Sequence, residues 1–503
     1  MNNDISVLLI TANVGSVFEF ADKLMLNWFE QIFNAINEYK PQFLALHFQE
    51  IGGKNFEHSM SNLRPFIENF THPKTERSIC EQYDRYFILC DENYDSIKTF
   101  TALGNFYFVH KSIQEVEIWN FKKSHFEIFR RKQINIGNIE NVEFIMKEKF
   151  PPEFYPGEKW SRKGFCMTRW RFSKTNAFNF INIHMFHDAS NIIAIKTSSL
   201  PPVKVLKNEN RDRHGAQTLP EPLLSWPVDN DYISPSFYTT CRYNALEFTL
   251  NRIENSNSKM NISEFNCHKM ESTNIPYFIF GDFNFRLDTQ SLIKKLIGDD
   301  QRLPKYNVSI FVSKTVQNNI ETQLGLSDFK SMVHQNSQNK ILESVTNINI
   351  SNNERFYDIN SGISVDENNA FNASHIGNAR SLTKPTLILD KKLFNLFENH
   401  DKIFKSRDTN SWVLALDKEL SPFLHLLHEY PINFFPSYPY EEDISKANEY
   451  MKTRCPGWCD RVLCSKLAQS FINSKKPIIY RIIGENTCMG DHKPVCLEFS
   501  LKF

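Results

Sequence analysis

Short apolar runs recur along the whole chain, and they limit the folds that are open to it. Several alternate apolar and polar residues, which is typical of half-buried strands, and the others are bounded by turn residues. The predicted strands cover residues 6–10, 43–48, 102–110, 164–172, 178–186, 277–280, 461–464 and 495–503. The chain is therefore expected to form extensive β-sheet.

Helix-like segments lie between these runs. Residues 23–37 place Leu24, Trp28, Ile32 and Ile36 at steps of four, which gives one apolar helix face. Residues 244–253 form a second candidate. Strands that alternate irregularly with helices predict an α/β fold of packed layers.

Two stretches interrupt this pattern and are expected to be surface insertions. One, at about 200–240, is rich in proline and charge, and the other, at about 304–382, is rich in asparagine. The candidate site residues fall on both sides of both stretches. A single catalytic domain spanning residues 1–503 is therefore expected.

The charge balance disfavours a general nucleic-acid binder. Lys plus Arg and Asp plus Glu each number 58, so no net field gathers polyanions. The apolar stretch at residues 6–10 is too short for a signal peptide or a membrane span. Ten scattered cysteines are typical of free thiols in a reducing compartment, so a cytoplasmic protein is expected.

Residues 277–286 carry the strongest chemical pattern, an apolar run followed by Asp282, Asn284 and Arg286 at alternating positions. If the extended conformation continues, these three side chains share one face and the intervening phenylalanines face the core. That arrangement places a carboxylate base beside a phosphate-binding amide. The alternative is an Asp-Phe-Asn turn that closes the strand.

Glu50 and Asn13 follow two other predicted strands and are candidate metal ligands. Carboxylate and amide oxygens are the hard ligands that a divalent cation of the Mg²⁺ type prefers. The alternative for Glu50 is a solvated carboxylate at the end of a strand.

Two histidines extend the constellation. His184 lies late in an apolar strand, where an imidazole can donate a hydrogen bond to a phosphoryl oxygen, although a strand histidine is more often structural. Asp460 is a candidate carboxylate partner for His492, beside Asp491. Such a pair fixes the imidazole tautomer and raises its basicity. The alternative for Asp491 and His492 is an ordinary loop before Pro494.

Together these strand ends supply two histidines, several carboxylates and two asparagines, which is the inventory of metal-assisted phosphoester hydrolysis. The sequence contains no G-x-S-x-G elbow, no cysteine in a phosphate-cradling loop and no Walker A pattern. A serine or cysteine nucleophile is therefore disfavoured.

Two segments carry a family resemblance. Residues 280–286 (FGDFNFR) and 456–463 (PGWCDRVL) resemble the two signature motifs of inositol polyphosphate 5-phosphatases. The type I branch of that family fits best. Its similarity extends over residues 11–15, 47–55, 160–165, 184–191, 242–246 and 489–495.

The resemblance implies a DNase I-like fold, a four-layer α/β sandwich of two packed mixed sheets flanked by helices. It also implies roles at a magnesium-dependent site. These are Glu50 and Asn13 near Mg²⁺, Asp282 activating water, Asn284 and His184 holding the phosphate, Asp460 positioning His492, and Asp491 completing the polar floor.

For the substrate, the resemblance implies contacts to the neighbouring 4-phosphate from Arg454, Lys452 and Tyr438. A guanidinium at position 454 can hold phosphate in a bidentate fork. Three further cations are candidates, and each can instead be a solvated surface residue. They are Arg162, Lys163 and Lys493.

Two departures from relatives matter. Many lipid-acting relatives carry lysine where this chain has Pro439, which favours soluble inositol phosphates over lipids. The chain ends at Phe503 without a C-a-a-X prenylation box, so at most peripheral association with the plasma membrane is expected.

The expected activity is Mg²⁺-dependent hydrolysis of the 5-phosphate of soluble inositol polyphosphates, namely the 1,4,5-trisphosphate and the 1,3,4,5-tetrakisphosphate, which ends calcium-mobilising signalling. The alternatives are a phosphoinositide lipid 5-phosphatase, a non-catalytic scaffold of the same fold, and a DNase I-like nuclease, which needs a basic groove. No nucleic-acid partner is expected, and no feature predicts an oligomeric state.

Overall fold

The computed structural model describes residues 4–72, 82–157, 161–172, 176–195, 235–258, 275–297, 307–310 and 386–503. The two expected insertions lie almost entirely outside the described residues. Of them, the structure describes only residues 235–240 and 307–310.

The described residues form the strands β1 Ile5–Asn13, β2 Phe43–Gln49, β3 Tyr83–Asp91, β4 Gly104–His110, β5 Val116–Asn120, β6 His125–Ile128, β7 Lys132–Gly137, β8 Met146–Lys149, β9 Gly164–Phe172, β10 Asn176–His184, β11 Tyr277–Asp282, β12 Asn307–Ile310, β13 Thr386–Asp390, β14 Leu393–Asn395, β15 Leu427–Glu429, β16 Asp460–Ser465, β17 Ile479–Ile482 and β18 Val495–Leu501. The α-helices are α1 Gly15–Glu19, α2 Ala21–Tyr39, α3 Phe56–Ser59, α4 Leu63–Thr71, α5 Asn191–Ala194, α6 Phe237–Ser258, α7 Thr289–Ile297, α8 His400–Lys405, α9 Arg407–Leu414 and α10 Lys466–Phe471. Each predicted strand overlaps one of these strands, and the two predicted helices lie within α2 and α6.

Two large mixed sheets organise these elements. The first has the order β17-β18-β1-β2-β4-β3-β7, with β1 parallel to β2 and antiparallel to β18. The second has the order β15-β16-β11-β10-β9-β5-β6, with β8 also paired to β9. A small third sheet, β12-β13-β14, stands apart from both.

The two large sheets pack face to face through aromatic side chains. The Phe43 ring of the first sheet lies 5.2 Å from Phe180 of the second, and Tyr107 lies 5.3 Å from Trp170. Burying such rings supplies much of the stability of the sandwich, at about 1.5–3 kcal/mol for each large apolar side chain. The central interface is therefore aromatic.

Helices cover the outer faces. Trp28 of α2 packs on Phe48 of the first sheet, and α4 joins the same cluster. On the other side, Phe248 of α6 packs on Phe165 of the second sheet. The four layers confirm the predicted α/β sandwich of the DNase I-like type. Among the described helices, none combines the length and apolarity needed to cross a membrane.

Register brings the chemically interesting strand ends to one edge of the sandwich. In the first sheet Asn13 pairs with Gln49, which precedes Glu50. In the second, Asp282 pairs with both His184 and Asp460. Because these pairs are fixed by backbone hydrogen bonds, their side chains meet without help from a flexible loop.

Candidate active site

Asp282, at the end of β11, is the centre of the cluster. Its Oδ2 atom accepts a hydrogen bond from Asn13 Nδ2 at 3.2 Å and lies 3.4 Å from His184 Nε2 and 4.0 Å from His492 Nε2. Burial opposes its ionisation, but the positive charges of His492 and Lys163 hold the pKa of Asp282 well below its usual range. The residue is therefore a carboxylate at neutral pH.

The backbone after Asp282 turns instead of continuing as a strand. Asn284 has a φ of 52° in the left-handed region, and its backbone N–H donates to Asp282 Oδ1 at 2.9 Å. The expected extended alternation is thus wrong, and the turn alternative is correct. Phe283 and Phe285 are nevertheless buried as expected.

The Asn284 side chain positions its neighbours. Its amide donates to Asp282 Oδ2 at 3.1 Å and to the Met185 carbonyl at 3.0 Å, while its Oδ1 accepts from Arg286 Nη2 at 2.6 Å. Both amide hydrogens are committed in this arrangement. The predicted phosphate contact would have to replace one of these bonds.

Glu50 lies on the side of the cluster formed by the first sheet. Its carboxylate lies 3.5 Å from Arg162 Nη2 and 3.8 Å from His184 Nε2. Burial would raise its pKa, but the positive charges of Arg162, Lys163 and Lys54 outweigh burial and lower the pKa of Glu50 to about 2. Glu50 is therefore ionised at neutral pH.

The neighbouring histidine is held neutral. Burial, reinforced by the charge of Lys163, lowers the pKa of His184. The Lys163 ammonium contacts His184 Nε2, and because an ammonium can only donate, Nε2 accepts and the proton lies on Nδ1. Nδ1 is buried and has no hydrogen-bond partner among the described residues, so it remains a donor for a ligand.

Glu50 and Asn13 fit a magnesium ion. Glu50 Oε2 is buried and accepts no hydrogen bond from the described residues. A Cβ added at Gly15 would lie 2.8 Å from this atom and 3.4 Å from Asn13 Oδ1, so both oxygens face the same small space. Carboxylate and amide oxygens are hard ligands of the kind that a divalent cation such as Mg²⁺ prefers.

A second group of candidate ligands is less suitable. Asp282, Asp460 and His492 place one ligand atom each within 4.8 Å of one another. However, His492 Nδ1 lies 2.8 Å from Asp460 Oδ2 and is already hydrogen-bonded. Burial opposes protonation of this imidazole, but Asp460 and Asp282 outweigh burial and raise the pKa of His492 to about 9. A protonated imidazole does not bind a metal.

Asp460 is itself fixed in place. The Ser437 hydroxyl donates to Asp460 Oδ2 at 2.8 Å and accepts from the Asp460 backbone N–H at 3.1 Å. Asp491 lies elsewhere, at the rim, where its Oδ1 accepts from Ser16 at 2.7 Å and its Oδ2 lies 3.3 Å from Lys54 Nζ. The structure thus pairs Asp460 with His492 but does not place Asp491 in the floor.

The predicted substrate contacts separate into two groups. The Tyr438 ring lies 4.5 Å from the His492 ring. Lys452, which precedes Arg454 closely in the sequence, is exposed. Lys493, in contrast, donates to the carbonyls of Gly484 and Thr487 at 2.8 and 2.7 Å. Its ammonium is therefore committed to the backbone and does not contact the cluster.

Arg454 is also largely committed. Its guanidinium donates to four backbone carbonyls, those of Asp188, Ala189, Lys391 and Thr453. Only one of its five N–H groups remains for a ligand. The predicted bidentate fork is not available in this arrangement.

Arg286 is the main residue to which sequence reasoning assigned no role. Its Nε and Nη1 atoms are buried without hydrogen-bond partners among the described residues, and its guanidinium lies 4.5 Å from the Tyr438 ring. A buried guanidinium with unused donors is costly unless an anion binds it. The only sequence signal that pointed to Arg286 as a site residue was its position in alternation with Asp282 and Asn284.

A buried polar network beneath the site was also missed. Asn182 donates to the carbonyls of Phe48 and Gly104 at 3.1 and 3.0 Å, and its Oδ1 accepts from Gln49 Nε2 at 2.7 Å. These bonds join the two sheets two residues before Glu50 and two residues before His184. The available signal was a polar residue inside an apolar strand.

Comparisons with known proteins identify a family of similar sequences. Residues 388–498 match the profile of endonuclease/exonuclease/phosphatase family 2. A human protein named inositol polyphosphate-5-phosphatase A is 33% identical over 500 residues, covering 99% of this chain and 93% of its own length. A Caenorhabditis elegans protein named probable type I inositol 1,4,5-trisphosphate 5-phosphatase is 29% identical over 499 residues, covering 99% of this chain and 100% of its own.

Among solved structures, one match is the inositol polyphosphate 5-phosphatase domain of SPsynaptojanin in complex with inositol 1,4-bisphosphate and a calcium ion. It shares 10% sequence identity with this chain, has a TM-score of 0.40, and covers 100% of this chain and 86% of the other.

Proposed function

Because this chain belongs to the inositol polyphosphate 5-phosphatase family, we propose that it removes the 5-phosphate from soluble inositol polyphosphates with Mg²⁺ as its cofactor. Membership makes the chain a phosphoric monoester hydrolase. The observation that carries the proposal is the convergence of Asn13, Glu50, His184, Asp460 and His492 around Asp282. The 1,4,5-trisphosphate and the 1,3,4,5-tetrakisphosphate are the proposed substrates, so turnover would end calcium-mobilising signalling.

Asp282 orients the attacking water in this proposal. Among the described residues, its Oδ1 atom accepts a hydrogen bond only from the Asn284 N–H, which leaves a lone pair for water. Its lowered pKa makes it a weak proton acceptor, so orientation precedes proton transfer. Alignment of water opposite the leaving inositol oxygen is what in-line displacement requires.

Donors around Asp282 bind the phosphoryl oxygens. His492 contributes a positive charge, His184 offers its free Nδ1–H, and Arg286 offers unused guanidinium N–H groups. Such preorganised donors stabilise the charge that spreads over three equatorial oxygens in the transition state. The neutral His184 and cationic His492 thus hold the phosphate from two sides.

Glu50 and Asn13 would hold the magnesium ion, which supplies Lewis-acid neutralisation of phosphoryl charge when it is bound. Arg162 keeps Glu50 ionised, which a metal ligand requires. On the far side of His492, Tyr438, Lys452 and the remaining N–H of Arg454 are the proposed contacts for the 4-phosphate.

We also propose that the chain is a single cytoplasmic catalytic domain. One apolar core includes strands from near the start, the middle and the end of the chain, which supports a single domain. The eight cysteines within the described residues are all free and buried, which supports a reducing compartment.

The test is phosphate release by the purified protein with Mg²⁺ from inositol 1,4,5-trisphosphate, from its lipid counterpart in vesicles, and from an abasic-site DNA duplex. We expect turnover of the soluble compound, with loss of turnover on chelation and in the Asp282→Asn variant. Preference for the vesicles would replace soluble substrates with lipids, and cleavage of DNA alone would identify a nuclease. Inactivity on all three substrates would favour a non-catalytic scaffold of the same fold.

A further inference from the structure

We propose that Lys391 and Lys392, at the turn between β13 and β14, bind a phosphate of the substrate beyond the 4- and 5-positions. This inference rests on the proposed function. The turn belongs to the small third sheet, which neither the resemblance nor the comparisons connect with the site. Both side chains are exposed, and the two lysines occupy the two-residue turn between Asp390 and Leu393, which pair with each other.

The turn is attached to the site by hydrogen bonds. The Lys391 carbonyl accepts from Arg454 Nη1 at 3.2 Å and from the Asn191 backbone N–H at 3.0 Å. The Asn191 amide donates to the carbonyls of Asp390 and Thr453 at 3.1 and 3.0 Å. The turn is therefore fixed against Arg454 on one side and against the loop after β10 on the other.

The same sheet also supports the loop that carries Lys452. The Phe394 backbone N–H donates to the Lys452 carbonyl at 2.9 Å. On the neighbouring helix α8, Lys405 lies 4.6 Å from the Tyr450 ring, just before the same loop. Lys452 and the two turn lysines are thus presented by one connected unit.

We call the four cations Lys391, Lys392, Lys452 and Arg454 the basic rim, and their charge makes it suitable for binding an anion. Among the described residues, Lys391, Lys392, Lys452 and Arg454 form no ion pair, although the chain as a whole is neutral with 58 basic and 58 acidic residues. Unpaired cations concentrated on one side of a site raise the local concentration of polyanions. Arg454, with four of its five N–H groups on carbonyls, acts mainly to hold the turn in place.

The position of the basic rim determines which phosphate of the substrate it can bind. The Tyr438 ring lies against the His492 ring. Arg454, which donates to the Lys391 carbonyl of the turn, also donates to the Asp188 and Ala189 carbonyls in the loop that follows β10, the strand that ends at His184. With the 5-phosphate at His492 and the 4-phosphate near Tyr438, the turn lysines lie one step further along the ring. The 3-phosphate, on the ring carbon next to the 4-position, is the group within that reach.

The experiment compares the wild type with Lys391→Ala/Lys392→Ala on three substrates, the 4,5-bisphosphate, the 1,4,5-trisphosphate and the 1,3,4,5-tetrakisphosphate of inositol. We expect KM to rise about tenfold for the tetrakisphosphate, which carries the 3-phosphate, with kcat within twofold, because exposed charge contacts contribute modestly to binding. The variant should turn over the bisphosphate and the trisphosphate, which lack a 3-phosphate, as the wild type does.

Two further variants make the comparison specific. Lys391→Arg/Lys392→Arg retains both charges and should restore the wild-type KM. Lys466→Ala/Lys475→Ala removes two exposed lysines at the opposite end of the strands and should change nothing. The difference in KM between the tetrakis- and the trisphosphate should also shrink at high salt in the wild type but not in the alanine variant.

An equal loss on all three substrates, or no loss on any, would overturn the inference while the wild type remains active. Failure of the wild type to release phosphate from any inositol polyphosphate would instead overturn the proposed function, and this inference with it.

Discussion

His184 and His492 are both buried and both lie within 4.0 Å of the same Asp282 oxygen, yet they are held in opposite charge states. Burial lowers the pKa of His184, and Lys163 reinforces this effect. Burial also opposes protonation of His492, but the carboxylate of Asp460 outweighs it and raises the pKa to about 9. The comparison shows that the neighbouring charge, and not burial alone, decides the protonation state.

The difference divides the site into two parts. The Glu50 half, comprising Asn13, Glu50, Lys163 and His184, provides oxygen ligands and a neutral donor. The Asp460 half, comprising Ser437, Asp460 and His492, provides an imidazole that is cationic at neutral pH. If this division is correct, variants in the Glu50 half should change metal dependence, whereas variants in the Asp460 half should change pH dependence.

Asp282→Asn should have the largest effect because both halves act on this carboxylate. We expect kcat to fall by about 10³-fold, within the range for loss of a group that handles a proton. Phosphate release measures the loss, and circular dichroism should show an unchanged fold. Activity within tenfold of the wild type would remove Asp282 from the centre of the site.

Glu50→Gln should follow, with a loss of about 100-fold at low Mg²⁺ concentration, because an amide is a weaker ligand than a carboxylate. A Mg²⁺ titration of phosphate release should show partial recovery at high concentration. Asp460→Asn is the matched control and should keep the wild-type Mg²⁺ requirement. An altered requirement in the control and not in Glu50→Gln would place the metal in the Asp460 half.

The sandwich and the convergence of strand ends were predictable from the sequence because they depend on local patterns. Apolar alternation fixes a strand over a few residues, and a polar residue at its end lies at the sheet edge whatever the partner strand is. Glu50, His184 and Asp282 were found in this way. Pairing of the strands then brought them together.

The directions of individual side chains were not predictable, because they depend on tertiary contacts. Lys493 follows His492 but donates to two loop carbonyls, and Arg454 is held by carbonyls from three separate segments. The left-handed backbone at Asn284 overrode the expected alternation. The carbonyls that capture these cations carry no side-chain signature that a sequence could reveal.

Asp460→Asn should reduce activity about tenfold at neutral pH, because removing the Asp460 charge, the larger of the two carboxylate effects that raise the pKa of His492, lowers that pKa and the cationic fraction of the imidazole. In the wild type, the cationic fraction falls only as pH rises through about 9. The alkaline limb of the kcat/KM profile should therefore move to lower pH in the variant.

The same pKa difference should affect stability. The pKa of His492 is higher in the folded state than the unfolded value of about 6.5, so its contribution is complete below that pH and is lost as pH rises through about 9. The Tm of the wild type should fall over this interval more steeply than the Tm of Asp460→Asn. Parallel Tm curves would contradict the assigned charge of His492.

Ser437→Ala should have the smallest effect and separates charge from orientation within the Asp460 half. The variant removes the hydroxyl that donates to Asp460 Oδ2 at 2.8 Å but leaves the carboxylate in place. Loss of one such hydrogen bond costs about 1 kcal/mol, so kcat should fall only a few-fold. The alkaline limb should stay near pH 9, because the charge that raises the pKa of His492 remains. If the limb instead moved as far as in Asp460→Asn, the hydrogen bond from Ser437, and not the charge of Asp460 alone, would be what makes the two histidines differ.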